Sequence, residues 1–140
     1  MQLLINGERL VRDVQQDFSR IYPYLKIEFF RMNGLNKELA LKQNQIRHDQ
    51  QLRLAKGRDI HKGDLVIEDA MSVLDLEKAF MSKFGLLTQV FRRSGNIWLE
   101  TSITDGWSLK QQNDLGREIS TGKKPGDSDE NDYDLHRDAD

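Results

Sequence analysis

The chain offers few side chains that could carry out catalysis. It contains no cysteine, which excludes thiol nucleophiles, disulfides, zinc–thiolate sites and iron–sulfur clusters. Its three histidines are His48, His61 and His136, and none lies at ligand spacing from an acidic residue on a predicted helix face. His48 and Asp49 are adjacent and would point to different sides of a helix. The histidines are therefore interpreted as surface residues, and the sequence predicts no metal site.

Paired carboxylates and glycine-rich loops also have simple explanations here. Asp13 with Asp17, and Asp75 with Glu77, lie at predicted helix starts, where negative charge complements the helix dipole. The glycine within residues 56–58 lacks the spacing and the strand-to-helix setting of a phosphate-binding loop. The sequence therefore predicts no catalytic residue and no cofactor.

An internal repeat determines the expected architecture. Residues 3–29 align without a gap on residues 65–91, at an offset of 62 residues. The identical pairs are Leu3/Leu65, Ile5/Ile67, Val11/Val73, Asp13/Asp75, Phe18/Phe80, Leu25/Leu87 and Phe29/Phe91. In each copy a short apolar run precedes apolar residues at three- and four-residue spacing, and a second apolar segment follows. Each copy is therefore interpreted as strand, helix and strand.

The duplication predicts an α+β domain on the ferredoxin-like plan, in which two such units form a mainly antiparallel sheet with helices on one face. A ubiquitin-like roll, which also opens with strand, helix and strand, is the alternative. A hairpin is predicted around residues 94–96, and Ser108 with Gln111 forms a capping box that starts a last helix. The matched phenylalanines of both copies, together with Phe84, are expected in the core.

A single domain is predicted over residues 1–120, and it is followed by a tail. Within the domain, residues 31–62 carry eight lysines and arginines against three acidic residues, and we interpret them as a solvated helix or a mobile insertion. Residues 121–140 carry three basic against seven acidic residues and are predicted to be a disordered acidic tail. The opposite charges would allow the tail to lie on the insertion when no partner is bound.

Two surfaces are candidates for contact with a partner. One is the outer sheet face. Aromatic residues that directly precede or follow a buried strand residue should point to this face, near two arginines. Its predicted contact residues are Phe30, Arg92, Arg93 and Trp98. The last helix, with Trp107, Leu109 and Leu115, is an alternative cover for this face. The other surface is a candidate anion contact on the basic segment, formed by Arg47, Arg53, Lys56, Arg58 and Lys62.

These surfaces favour a non-catalytic protein-interaction module that contacts a protein partner or a second copy of itself. The alternative is a nucleic-acid-binding accessory protein that uses residues 31–62, because RNA-binding modules combine such a sheet with aromatic residues and a basic rim. The aromatic strand motif of those modules is absent, and the net charge is −2. An enzyme acting on a small substrate is a third class, since the fold does not forbid it.

Three stretches resemble a family of small uncharacterised bacterial proteins. Residues 91–101 (FRRSGNIWLET) and 104–113 resemble the end of that family, and residues 24–30 (YLKIEFF) resemble its first half. The resemblance covers residues 1–120 apart from the middle segment. It implies a bacterial cytosolic protein, and it implies no activity, cofactor or site residue. Residues 6–9 (NGER) interrupt the opening apolar run, so no secretory signal is predicted. No apolar run approaches the length of about 20 residues that a membrane span requires, and a cytoplasmic protein is therefore predicted.

Overall fold

The computed structural model describes residues 1–57 and 59–122. Its elements follow in the order β1 (Gln2–Ile5), α1 (Val11–Ile21), β2 (Leu25–Phe30), α2 (Lys37–Gln43), α3 (Arg53–Lys56), β3 (Gly63–Val66), α4 (Val73–Phe84), β4 (Leu87–Ser94), β5 (Ile97–Glu100) and α5 (Leu109–Thr121). In this described part, every helix is too short or too polar to cross a bilayer. Arg58 and the predicted tail beyond residue 122 lie outside the described residues.

The strands form two antiparallel sheets. β1 pairs with β3, and β2 pairs with β4, which pairs in turn with β5. The predicted α+β class, with duplicated strand-helix-strand units on the ferredoxin-like plan and extra C-terminal elements, is confirmed. The four repeat strands hydrogen bond as two separate pairs, and each pair joins a strand of the first copy to its counterpart in the second.

One large core joins the two copies. Phe18 and Phe80, which occupy matched helix positions, are both fully buried in it. Phe80 packs edge-on against Phe29, with ring centroids 5.6 Å apart and ring planes at 82°. An aromatic pair of this kind contributes about 0.5–1.5 kcal/mol beyond the burial of its surface. The shared interior that the repeat predicts is therefore present.

The repeat changes phase in its last strand. Gly85 caps the C-terminal end of α4 in a left-handed conformation (φ +68°). In β4 the residues that face the inside then come one position later than the repeat predicts from β2. Thr88 pairs with the buried Phe29, so these two residues share the inner face. Phe91 pairs with Lys26 and lies, partly buried, on the opposite face. Its predicted place among the core phenylalanines is wrong, because a shift of one residue turns every side chain of a strand over.

The structural repeat is longer than the sequence repeat. Residues 48–53 dock on the start of α1 through backbone hydrogen bonds, and residues 105–110 dock on the start of α4 in the same way. The N–H of Leu52 donates to the loop before α1 (2.9 Å), and the N–H of Leu109 donates to the loop before α4 (2.8 Å). Both leucines are fully buried. Part of the predicted insertion is thus an ordered counterpart of the segment that begins α5.

Helices cover both faces of the three-stranded sheet. α2 lies on the outer face and forms a small second core there, made of Phe30, Ala40 and Leu87. α5 packs on the inner face, where Nη1 of Arg92 donates to Oε1 of Gln112 (2.7 Å). The alternative in which the last helix covers Phe30 is therefore wrong. The helix that covers it is α2, whose apolar residues are too few for its sequence to predict the contact.

The packing of α5 can be tested at Gly116. A Cβ there would lie 2.9 Å from Cβ of Tyr24 and 3.0 Å from Cγ of Arg92. We expect Gly116→Ala to lower the free energy of unfolding by about 1–3 kcal/mol, although alanine is the better helix former by about 1 kcal/mol. Gly106→Ala is the matched control, because open space surrounds that position. Urea denaturation measures both, and equal stabilities would contradict this close contact.

Candidate functional site

α1 lies along the outer edge of β2 and satisfies the backbone there. Nε2 of Gln15 donates to the carbonyl of Ile27 (2.6 Å), and Oγ of Ser19 donates to the carbonyl of Leu25 (3.1 Å). The N–H of Ile46 donates to the next edge carbonyl along the strand (2.8 Å). An unpaired strand edge invites pairing with another chain. These bonds close this edge of the sheet.

Glu28 is a buried carboxylate beside this edge. It is 1% exposed, and its Oε1 lies 2.9 Å from Nε2 of His48, 3.0 Å from Nε2 of Gln15 and 3.7 Å from Nζ of Lys26. The His48 side chain is 54% exposed, so it reaches solvent above the carboxylate. Burial of a carboxylate is costly unless such donors surround it. His48 lies at the surface, as the sequence predicts, and its acidic partner lies on β2, 20 residues away.

A cleft of about 310 Å³ opens next to Glu28, and we call it the Trp98 cleft. It is lined by Arg12, Gln15, Gln16 and Ser19 of α1, by Lys26, by His48 and by Trp98 of β5. Nζ of Lys26 lies 5.1 Å from the centre of the Trp98 ring, and the guanidinium carbon of Arg93 lies 5.9 Å from it. Cations at this distance are attracted to an aromatic ring. The cleft therefore combines an aromatic wall with several basic groups.

The fold divides the four predicted protein-contact residues. Trp98 is partly exposed, and Arg93 is exposed beside it on the outer face. Phe30 is buried beneath α2. Arg92 projects from the inner face, where Gln112 holds its guanidinium. Trp98 and Arg93 can thus meet a partner directly, whereas Phe30 and Arg92 are held inside the fold.

The predicted anion-contact residues are spread over different parts of the surface. They are Arg47, Arg53, Lys56, Arg58 and Lys62. Arg47 lines a cavity with His48 next to the Trp98 cleft, and its guanidinium pairs with Asp49 (3.1 Å). Arg53 lines a separate cavity with Arg31. Lys56 lies against Gly85, Lys62 is exposed, and Arg58 is outside the described residues.

The second copy has a cleft in the equivalent place, and we call it the Glu77 cleft. α4 lies along the first part of β4, which β5 does not pair with, as α1 lies along the outer edge of β2. Four residues of α4 line the Glu77 cleft, and at the repeat offset they match the four residues of α1 that line the Trp98 cleft. The matched pairs are Leu74/Arg12, Glu77/Gln15, Lys78/Gln16 and Met81/Ser19. Lys37, Leu87 and Thr88 complete a cavity of about 200 Å³. The two copies thus keep one arrangement of helix and strand with different chemistry.

Glu77 performs on β4 the task that Gln15 performs on β2. Its Oε2 accepts the N–H of Val90 (3.0 Å), at a point of the strand that β5 does not reach. Burial raises the pKa of Glu77 to about 7, against the opposing effects of the Val90 N–H and of Lys37, while Asp105 adds to the increase. Glu77 does not act as the helix-start charge that the sequence predicts, because it lies beyond the first turn of α4 and its side chain turns to the strand edge.

The Glu28 cluster should contribute strongly to stability. Glu28→Ala leaves Gln15, Lys26 and His48 without their shared acceptor, so we expect the free energy of unfolding to fall by about 2–4 kcal/mol. Glu100→Ala removes an exposed carboxylate from the same sheet and should change it by less than about 0.5 kcal/mol. Chemical denaturation at neutral pH compares the two. A Glu28→Ala chain as stable as the control would contradict the role assigned to this carboxylate.

The raised pKa of Glu77 predicts a pH-dependent stability. The folded chain holds this proton up to a pH of about 7, whereas the unfolded chain releases it near the ordinary value of 4.5. The stabilisation is therefore complete below that ordinary value and is lost as the pH rises through the folded value. Relative to Glu77→Gln, we expect the wild type to lose up to about 3 kcal/mol between about pH 4 and pH 8. Denaturation curves measure it, and a constant difference would contradict the burial of Glu77.

Comparisons with protein-family models, with curated proteins and with solved structures found no match to this chain. The resemblance of residues 24–30 and 91–113 to a bacterial family stays a prediction.

Proposed function

We propose that this protein is a non-catalytic interaction module of the bacterial cytoplasm, and that the Trp98 cleft binds a segment of another protein chain. One observation carries the proposal. Trp98 is partly exposed between two cationic groups, Lys26 at 5.1 Å and Arg93 at 5.9 Å, beside a cleft of about 310 Å³. Tryptophan and arginine are among the residues that most often dominate the binding energy of protein interfaces.

β5 also exposes apolar residues on the side of the sheet opposite Trp98. It is the last strand of its sheet, and within residues 1–57 and 59–122 no strand pairs with its outer edge. Ile97 is 58% exposed, and Leu99 is exposed two residues later. An extended segment can add to such an edge through backbone hydrogen bonds while side-chain pockets select its sequence. A second copy of this chain could pair in the same way, and self-association is then one form of the proposed interaction.

The charges around the cleft suit an acidic partner segment. Arg12 and Lys26 line the cleft, and Arg93 stands at its aromatic wall. The nearest acid, Glu28, is buried and already surrounded by donors. A carboxylate of the partner would therefore meet cationic donors, and such charge-assisted hydrogen bonds are about twice as strong as neutral ones.

Nucleic-acid binding is the second candidate, and the same tryptophan favours it. Proteins that hold single strands stack bases on aromatic side chains within a basic groove. The predicted anion-contact residues give less support, since Arg47 is paired with Asp49 and Arg53 lines a different cavity. The chain also has a net charge of −2. The described part of residues 31–62 therefore does not form the row of neighbouring cations that tight phosphate binding needs, and a protein partner is the better supported proposal.

Trp98→Ala tests the proposal, and Trp107→Ala is its matched control. Trp107 is an exposed tryptophan in the loop before α5, outside the cleft. The immobilised chain and both variants capture partners from a nuclease-treated lysate, and the captured proteins are then purified and titrated directly. We expect Trp98→Ala to weaken binding at least tenfold, which is about 1.4 kcal/mol. Trp107→Ala should bind as the wild type does.

A single-stranded oligonucleotide of mixed sequence separates the two candidates. Fluorescence anisotropy at about 0.15 M salt, near physiological ionic strength, would show tight, Trp98-dependent binding if nucleic acid is the partner. Capture that disappears on nuclease treatment has the same meaning. If both tryptophan variants bind every purified partner equally well, the Trp98 cleft is not the contact site. Circular dichroism of each variant establishes that the fold is unchanged.

A further inference from the structure

The Glu77 cleft presents hydrogen-bond acceptors that lack donors. Oε2 of Glu77 accepts the Val90 N–H, and its Oε1 has no partner among the described residues. Thr88 is 2% exposed, and its Oγ1 is buried without a hydrogen-bond partner. In residues 1–57 and 59–122, no lysine or arginine nitrogen lies within ion-pair distance of Glu77. The half-buried carboxyl of Glu77 thus has no ion pair in this described part of the chain, and Lys37 acts on its pKa only from a longer distance.

The open edge of β4 adds a third acceptor. β5 pairs with β4 only from Phe91 onward. Backbone groups alternate along an antiparallel strand, so Thr88, two residues before Val90, directs its N–H and carbonyl to the same edge. Across the described part of the chain, the Thr88 carbonyl receives no donor at this edge. The two residues that carry these oxygens, Glu77 and Thr88, therefore line one small cleft.

The rest of the cleft is largely apolar. Leu74, Met81 and Leu87 form its walls, and its volume is about 200 Å³. An apolar cavity of about 150 Å³ holds a molecule of the size of benzene. The Glu77 cleft therefore has room for a short hydrocarbon body with one polar end.

We propose that the Glu77 cleft binds a small primary ammonium compound with an apolar body. An ammonium group has three donors and no acceptor, which matches the oxygens of Glu77 and Thr88. It would also place a positive charge in direct contact with the half-buried carboxylate. Lys37 of α2 and Lys78 of α4 line the same cleft, so a carboxylate on the outer part of the ligand would be accommodated as well.

The charge of Glu77 then controls binding. Its pKa of about 7 means that the empty cleft holds a neutral carboxyl below that pH and a carboxylate above it. The charged groups that face Glu77 are Lys37 of α2, Lys78 of α4 and Asp105 of the loop after β5. An alkylamine stays protonated throughout this range, as lysine does. We expect its affinity to fall about tenfold from about pH 8.5 to about pH 6, because the proton competes with the ammonium group.

Titration of the ¹⁵N-labelled full chain with isopentylamine tests the proposal. We expect saturable shifts of the Glu77, Thr88 and Val90 amide signals at about pH 8. Isopentyl alcohol has the same body without the charge and should bind at least tenfold more weakly. L-Leucine distinguishes the two sources of the ammonium group, because tighter binding of leucine would identify an amino-acid zwitterion as the preferred ligand. Binding of isopentylamine supports the proposal, whether leucine binds more tightly or more weakly than the amine.

Variants locate the site. Glu77→Gln keeps an oxygen for the Val90 N–H but removes the charge, so we expect at least a tenfold loss of amine affinity. Thr88→Val should lose affinity severalfold, and Asp75→Asn, an exposed carboxyl on the same helix, should lose none. Unmoved cleft signals at about pH 8, equal binding of amine and alcohol, or full affinity in Glu77→Gln would each overturn the proposal. The Trp98 cleft plays no part in this test, so the two proposals stand or fall separately.

Discussion

Buried backbone groups at a strand edge have to be hydrogen bonded, and this requirement shapes both clefts. α1 lies against the outer edge of β2, and α4 lies against the first part of β4, where β5 does not pair. Gln15 meets the requirement on β2, where its amide donates to a carbonyl, and Glu77 meets it on β4, where its carboxyl accepts an N–H. The two residues occupy the same position of the repeat. Their different chemistry is the origin of the difference between the two clefts.

The consequences spread outward from these two side chains. The Gln15 amide also donates to Glu28, which lies 3.7 Å from Nζ of Lys26, and Lys26 in turn lies over Trp98. The side chains that close the β2 edge are thus in contact with those that line the Trp98 cleft. The sequence counterpart of Glu28 in the second copy is Val90, which is apolar. Among the residues that the structure describes, Glu77 therefore has no ion pair like that of Glu28.

Each copy completes the cleft of the other. The chain that follows β2 forms α2, and α2 supplies Lys37 to the Glu77 cleft of the second copy. The chain that follows β4 forms β5, and β5 supplies Trp98 to the cleft of the first copy. This exchange follows from the strand pairing. Because β2 and β4 are neighbours in the sheet, the chain that follows each strand packs beside the other copy. The two additions also end the symmetry, since α2 buries Phe30 while β5 leaves apolar residues exposed.

The sequence by itself determined the doubling, the order of the strand-helix-strand units and the burial of Phe18 and Phe80, because apolar periodicity is a local property of the chain. Tertiary structure alone decided the phase of β4, which moves Phe91 out of the core without altering the local pattern. It also decided the partners of His48 and Glu77, since those contacts join residues from different elements. The hydrogen-bond partners of a side chain depend on which helices and strands lie next to it, and long-range packing determines that arrangement.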